Sequence, residues 1–279
     1  MDSSASAPVV VATWNLHAGV NGYGRRFDVV GACRALEADI LILQEVFAPL
    51  NGPSQAEEIC AGAGFEHRME LPMSRAWRIR REIPAPPDAG WEPTRPYPRS
   101  RRALRVGSYL HGPIRDEAGY EPGTWGMAIL ARQPIVSSEA IELGKLKRDY
   151  TFRSALAVTL ESGLCVVAAH MAHFTHGSPR HHRKLYRALP RHDTPAVIGG
   201  DMNFFGPPIE LAMPGWRRAA VARTWPSWCP VAQLDHLLVT RQVATLGGEA
   251  LKVGDSDHFP LRARIDFAPH RLAPVHGRA

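Results

Sequence analysis

Cysteine is scarce in this chain. Cys33, Cys60, Cys165 and Cys229 are the only four in 279 residues, and no two form a Cys-x-x-Cys pair. That excludes a zinc knuckle and a disulfide scaffold as organising devices, and it points to a reducing, cytoplasmic setting. Long apolar runs are missing too: charge interrupts each apolar stretch within about ten residues, against the roughly 20 needed to span a bilayer. No transmembrane segment is expected. Met1 to Ala7 has no basic region and leads into no long apolar segment, so no secretory leader is expected. Internal repeats and low-complexity tracts are absent. With 45% apolar and 22% charged residues, the composition is that of a folded globular protein and not of a disordered one.

The charge present is uneven. The net charge is +6, and ten arginines face four acids between His67 and Arg105. The rest of the chain balances, so the whole excess arises in this one segment. Such a field attracts polyanions or anionic surfaces.

Hydrophobic periodicity gives the elements. Val9 to Trp14 and Asp39 to Leu43 read as buried strands, with a helix over Arg26 to Leu36 between them. Gln55 to Ala61 reads as a short helix followed by a strand near Phe65. From Glu70 to Gly119 no period holds, and seven prolines fall between Pro72 and Pro98. This stretch reads as an irregular excursion from the core, with a short helix at Ser74 to Arg81. Strand signals return at Gly126 to Leu130, Ile135 to Leu143, Phe152 to Leu160 and Leu164 to His170, with Glu161-Ser162-Gly163 as a hairpin turn. Pro179 to Leu189 reads as a helix. Ala196 to Ile198, Leu234 to Val239 and Leu261 to Phe267 are the last strands. Residues 1–268 are expected to form one domain, with 269–279 a loose tail. Strands interleaved with helices indicate an α/β fold containing antiparallel pairs.

Polar residues follow the strands at regular places. Asn15 follows the first strand, Glu45 the second, His170 the one from Leu164, and Asp201 and Asn203 the one from Ala196. Asp235 lies in Leu234 to Val239, and Asp257-His258 precede the last strand. Apolar strands that end in carboxylates, amides and imidazoles place a polar cluster on one rim of a sheet. Glu45, Asp257 and the Asn15 amide oxygen are hard donors suited to Mg²⁺ or Mn²⁺. His170 and His258 can contact a phosphate and move protons. Asp201 can orient or deprotonate a water, and Asn203 can donate to charge building on phosphorus. With no serine or cysteine nucleophile proposed, metal-assisted attack by water is the natural chemistry. The spacing of His170, His173 and His176 matches no helical zinc motif, and Pro179 follows closely.

Thr13-Trp14-Asn15, Leu43-Gln44-Glu45-Val46, Gly126-Met127-Ala128-Ile129-Leu130, Gly200-Asp201-Met202-Asn203, Leu234-Asp235-His236 and Ser256-Asp257-His258 together resemble the ordered motifs of the endonuclease/exonuclease/phosphatase superfamily, the deoxyribonuclease-I-like fold. The resemblance spans Val9 to Phe267. It implies a four-layer α/β sandwich, two mixed β-sheets packed face to face with flanking helices. It implies Glu45 as the principal ligand of Mg²⁺ or Mn²⁺, with Asn15 beside it and Asp257 assisting. Asp201 would activate water, Asn203 would stabilise the transition state, His258 would contact the scissile phosphate, and Asp235 would orient a histidine. His170 lies where nuclease and lipase branches carry a second histidine, and Arg153 resembles a strand arginine near the rim. His17, two residues after Asn15, and His170 depart from the abasic-site endonuclease pattern and argue against a dedicated DNA-repair enzyme.

The expected activity is hydrolysis of a phosphodiester, DNA or RNA being slightly favoured, by a monomer. Alternatives are a phospholipid or sphingolipid phosphodiesterase, an inositol- or sugar-phosphate phosphatase, and a non-catalytic nucleic-acid-binding module. A lipid enzyme would need an exposed apolar rim, for which Trp216, Trp225 and Trp228 are the candidates. Arg99, Arg101 and Arg102 stand for the basic segment as substrate-binding residues, with Trp77, Trp91 and Tyr97 available for stacking. The segment also has two other readings, a solvated, mobile loop, which comes first, and a contact for anionic lipid, which comes last.

Overall fold

The computed structural model describes residues 7–21, 26–79, 109–111, 120–149, 151–189 and 194–268. Along these run β1 (Val9–Asn15), α1 (Val29–Arg34), β2 (Ile40–Pro49), α2 (Gln55–Ala63), β3 (His67–Ile79), β4 (Tyr109–His111), β5 (Tyr120–Ala131) and β6 (Ile135–Gly144). Then come β7 (Arg153–Leu160), β8 (Cys165–His170), α3 (Pro179–Ala188), β9 (Ala196–Asp201), α4 (Ile209–Ala212), β10 (Arg217–Arg218), β11 (Asp235–Val239), β12 (Val243–Ala250) and β13 (Leu261–Phe267).

The strands form two sheets. One has seven strands in the order β12-β13-β1-β2-β5-β3-β4, and the other six in the order β10-β11-β9-β8-β7-β6. Each is mixed: β1 and β2 pair in parallel in the first and β8 and β9 in the second, while the other neighbours are antiparallel. The central strands are the unbroken apolar runs of the sequence, because they are covered on both faces and need no polar alternation. Val11, Ile42, Met127 and Ile129 of the first sheet meet Val158, Val166, Val197 and Leu237 of the second in one buried cluster. The other face of the first sheet packs Leu41 and Leu43 against Val29 and Cys33 of α1 and Ile59 of α2. The other face of the second packs Val167 and Ile198 against Leu185 of α3 and Ile209 of α4. The result is the expected four-layer sandwich of two mixed sheets with flanking helices.

Local chemistry sets the helix ends. Asp28 accepts from Gly31 N at 2.8 Å to cap α1, so that helix starts later than the Arg26 of the periodicity reading. Ser54 accepts from Glu57 N at 3.0 Å to start α2, and Gly64 ends it in the left-handed conformation.

The helix expected at Ser74 to Arg81 is not formed up to Ile79. Those residues continue β3, which pairs with β5 from His67↔Ala131 to Ile79↔Tyr120. Pro72, which lacks an N–H, sits where the register slips between Pro72 and Ser74. The bulge breaks the strand's alternation, so the pairing is invisible as periodicity, and the long partner strand overrides the local signal. Residues 70–79 of the stretch read as irregular therefore belong to β3, and most of its remainder lies outside the described residues. The edge strand β12 carries no strand signal in the sequence: after Val243 its next six residues are exposed, and Gly247 and Gly248 supply no apolar face. Among the described residues no helix is long and apolar enough to cross a membrane.

The second sheet's parallel pair fixes the site. The register sets Ala169 opposite Gly200 and His170 opposite Asp201. A Cβ on Gly200 would lie 1.8 Å from the Ala169 carbonyl oxygen, a backbone atom with no room to retreat. Gly200→Ala is therefore expected to lower stability by about 1–3 kcal/mol by overpacking. An unchanged midpoint in urea-induced unfolding would contradict the close pairing.

Candidate active site

Six segments distant in sequence end on one rim. Asn15 is the last residue of β1. Glu45 follows the point where β2 slips register against β5, between Gln44 and Val46, and has a φ of 52°. The bulge and left-handed backbone let Gln44 and Glu45 serve different neighbours. Gln44 donates to Thr13 Oγ1 at 3.1 Å inside the sheet. Glu45 Oε1 accepts from Asn15 Nδ2 at 3.3 Å.

Asn15 Nδ2 also donates to Asp201 Oδ2 at 3.2 Å, so one amide joins the two sheets. Its oxygen accepts from His17 N at 3.0 Å. Asp201 Oδ1 accepts from Asn203 N at 2.9 Å, which closes a tight turn after β9 and holds Asn203 at φ 47°. Asn203 Nδ2 donates to Met171 O at 2.9 Å and ties the loop after β9 to the loop after β8.

Two histidines face Asp201. His170 Nε2 lies 3.7 Å from Asp201 Oδ2 and 3.8 Å from Glu45 Oε1. Its ring stands edge-on to Trp125, with centroids 5.2 Å apart. His258 Nε2 lies 3.7 Å from Asp201 Oδ2, and its Nδ1 is 2.8 Å from Asp235 Oδ2. The loop carrying His258 is pinned from behind. Ser256 Oγ donates to Asn15 O at 2.6 Å and accepts from His258 N at 3.2 Å, while Trp14 Nε1 donates to His258 O at 2.9 Å. Asp257 points the other way, with Oδ1 3.9 Å from His17 Nδ1.

Burial and charge act against each other here. Burial pushes the Asp201 carboxyl up; His258 opposes that, and Asp235 and Glu45 reinforce it. Burial alone would disfavour a charged His258, but Asp235, Asp257 and Asp201 outweigh it and hold the imidazole well above its usual range. Burial likewise works against Asp257 ionising, and the histidines His17 and His258 overcome it and lower that carboxyl. Three other histidines, His181, His182 and His236, are buried and neutral, the first and last pushed down to about 4 by desolvation.

The donor set suits a hard cation. Glu45 Oε2 is buried and has no hydrogen-bond partner, and the same holds for Asp257 Oδ1 and Asp235 Oδ1. Orphaned carboxylate oxygens at a rim are what a divalent ion satisfies. Ligand atoms of Asp201, Asp235 and His258 also lie within 4.8 Å of one another. The strong 2.8 Å contact between Asp235 and His258 commits that pair to each other, however, which leaves Glu45 the freer donor.

Thus Asn15, Glu45, His170, Asp201, Asn203, Asp235 and His258 come together, with Asp257 beside them. Arg153 reaches the same rim. Its Nε donates to Asp149 Oδ2 at 2.8 Å, an Nη donates to His170 O at 3.3 Å, and its guanidinium lies over the Trp125 ring. Asp149 and Trp125 were missed in the sequence because their roles depend on packing across the sheets; no local pattern marks them. Arg99, Arg101, Arg102, Trp91 and Tyr97 lie outside the described residues. Trp216 is buried, and Trp225 and Trp228 are partly buried, so these three do not form an exposed apolar rim.

The chain is similar to known proteins over most of its length. The Endonuclease/Exonuclease/phosphatase family model matches residues 12–258. No curated protein matches the sequence. Among solved structures, an endonuclease/exonuclease/phosphatase from Beutenbergia cavernae superposes with a TM-score of 0.63 at 17% identity, covering 94% of this chain and 72% of that one. D. rerio TDP2 complexed with a single-strand DNA product gives 0.54 at 13% identity, covering 94% and 100%. The Bacteroides thetaiotaomicron mannosyl-6-phosphatase Bt3783 gives 0.57 at 13%, covering 93% and 100%. With the motifs in order over most of the chain and their side chains gathered at one rim, the chain belongs to the Endonuclease/Exonuclease/phosphatase family, whose members are generally hydrolases of phosphoester bonds.

Proposed function

We propose that this protein is a divalent-metal-dependent phosphoesterase that hydrolyses a phosphodiester by attack of water, with nucleic acid as the favoured substrate. The observation that carries this reading is the convergence of Glu45, His170, Asp201 and His258, each within 3.8 Å of a neighbour in the set. Glu45, through its orphaned Oε2, would hold Mg²⁺ or Mn²⁺ with Asp257 and Asn15 nearby. When bound, such an ion supplies charge neutralisation and polarises the phosphoryl oxygen.

The chain's own residues account for the protons. Asp201, whose burial raises its affinity for a proton, takes one from the attacking water as the oxygen–phosphorus bond forms. His258, held protonated by Asp235, contacts the phosphate and returns a proton to the leaving oxygen as the ester bond breaks. Asn203 has one amide hydrogen committed to Met171, and the other is free to meet charge building on the phosphate. His170 supplies a second imidazole beside the same oxygens. Arg153 contributes through its hold on the His170 backbone and its positive charge at the rim.

The basic segment favours nucleic acid. A sugar- or inositol-phosphate phosphatase is the second reading, supported by the fold likeness to a mannosyl-6-phosphatase. A silent binding module would have no use for so complete a set of acids and histidines. Turnover of plasmid DNA, RNA, bis-nitrophenyl phosphate, lipid vesicles and inositol phosphates with Mg²⁺ and Mn²⁺ separates these readings; monoester turnover without nuclease activity would overturn the first.

Two further outcomes are expected. Asp201→Asn lowers turnover by about 10²–10⁴-fold with an unchanged far-UV spectrum; retained activity would remove Asp201 from the proton transfer. Mg²⁺ raises the thermal midpoint of the wild type, and Glu45→Gln abolishes that rise. An equal rise in the variant would place the ion elsewhere.

The metal-free protein should also lose stability on the alkaline side. Above about pH 6.5 the buried neutral histidines match their unfolded state. His258 does not: its raised native value means the fold keeps a proton that the unfolded chain releases. Its contribution is complete below the ordinary imidazole value and disappears as pH climbs through the native one. Thermal midpoints against pH in the presence of a chelator check this, and the alkaline fall should be shallower in Asp235→Asn. An identical slope in that variant would show that Asp235 does not hold the proton on His258.

A further inference from the structure

A positive surface lies beside the candidate site, and the net charge of the sequence conceals it. Residues 162–192 contain no Asp or Glu. Within them Arg180, Arg183, Lys184 and Arg187 are all exposed on α3, at spacings that place them along one helical stripe. Lys145, Lys147 and Arg148, on the loop between β6 and β7, are exposed as well. That loop adjoins α3, since a Cβ at Gly144 would sit 3.1 Å from Lys184 Nζ. Its one acid, Asp149, is buried and bound to Arg153. Among the described residues, none of these seven cations forms a salt bridge.

Exposed aromatic rings stand between this stripe and the pocket. Phe174 is 46% exposed and Phe205 53%, with ring centroids 6.3 Å apart, and Phe204 lies 5.7 Å behind Phe174. Phe174 follows His170 closely and Phe205 follows Asn203, and the Asn203–Met171 hydrogen bond joins their two loops. Water gives such rings nothing to pack on, whereas an unstacked base fits them without regard to sequence.

We propose that α3, the β6–β7 loop and the Phe174–Phe205 pair form a guiding surface for single-stranded nucleic acid. Bases stack on the two phenylalanines, and the phosphates beyond the scissile one are held by the cations of α3 and the loop. This rests on the reading of the pocket as a phosphodiesterase. A single strand is indicated because a base can lie on Phe174 or Phe205 only once it is free of a duplex stack. A lipid surface fits less well. β8 ends at the rim, and α3 runs from there back along the flank to the start of β9. A membrane lying on the rim would meet only the first turn of α3, whereas a strand can follow its length.

The test measures binding of a fluorescent oligothymidylate by anisotropy in the presence of a chelator, so that nothing is cleaved. Arg183→Gln combined with Arg187→Gln is expected to weaken binding about ten-fold and to flatten the slope of log affinity against log salt by about 1.4, the share of two phosphate contacts on a single strand. Phe174→Ala is expected to weaken binding about ten-fold with the salt slope unchanged. Restoring charge with Arg183→Lys and Arg187→Lys should recover most of the slope, and thermal midpoints equal to wild type exclude misfolding. Unchanged affinity in the glutamine and alanine variants would overturn the proposal. So would wild-type binding to phosphatidylserine vesicles in preference to the oligonucleotide. The pocket is tested separately by wild-type turnover of bis-nitrophenyl phosphate with Mg²⁺: its absence would refute the proposed reaction, while binding in chelator still decides the surface.

Discussion

Burying several carboxylates at one rim is the constraint on which the rest of this structure depends. Glu45, Asp201, Asp235 and Asp257 come from four different segments of chain. Like charges a few ångströms apart repel by about 4 kcal/mol at the effective dielectric of a protein surface. The chain relieves that in three ways. Asn15 donates from one amide to both Glu45 and Asp201. Burial raises the Asp201 carboxyl, so it ionises reluctantly. His258 takes a positive charge between Asp235 and Asp201. What remains is the unsatisfied oxygens on Glu45, Asp235 and Asp257, which a cation would relieve. The devices that make these carboxylates tolerable together thus leave hard oxygen donors uncommitted at the rim.

The scaffold's rigidity serves the same end. Asn15 bridges the sheets, so its position depends on how β1 sits against β9. Gly199 makes this possible: a Cβ there would lie 2.6 Å from Ile42 Cδ1 and 3.0 Å from Thr13 Cβ. The close approach of the two sheets at that point sets the short distance from Asn15 to Asp201. Glu45 and Asn203 occupy left-handed backbone that costs non-glycine residues about 1–3 kcal/mol. Both sit at the rim, and both direct polar atoms that a regular strand would have turned elsewhere.

Much of the site was legible in the sequence because its supports are simple. Val9 to Trp14, Ile40 to Leu43, and Ala196 with its neighbours are buried on both faces, so they read as unbroken apolar runs, and the polar residue ending each is conspicuous. What could not be read depends on partners far along the chain. Asp149 looks like any loop acid until it is seen holding Arg153. β3 contains Pro72 at a bulge, which erases its alternation, and only pairing with β5 reveals a strand. Arg78 counted toward the positive segment, yet the fold buries it over Phe47, bound to Glu121 and the Ala18 carbonyl. Arg68 is likewise met by Glu57 and Glu70. Part of the sequence's apparent excess is therefore internal pairing that no count could subtract.

The reverse holds on the opposite sheet. Outside residues 67–105 the charges balance, which suggested a neutral remainder. The balance is an average over two unlike places. The negative side includes Glu45, Asp201, Asp235 and Asp257, which the fold largely withdraws from solvent at the rim. The positive side includes Arg180, Arg183, Lys184 and Arg187, which the fold leaves in water on an acid-free helix. Once the pocket's acids are offset, the surface an approaching anion meets is positive even though the arithmetic is zero. An anion nearing these carboxylates would be repelled by them and attracted along the flank. Charge sorting in three dimensions, more than net charge, therefore sets where on this face an anion is attracted.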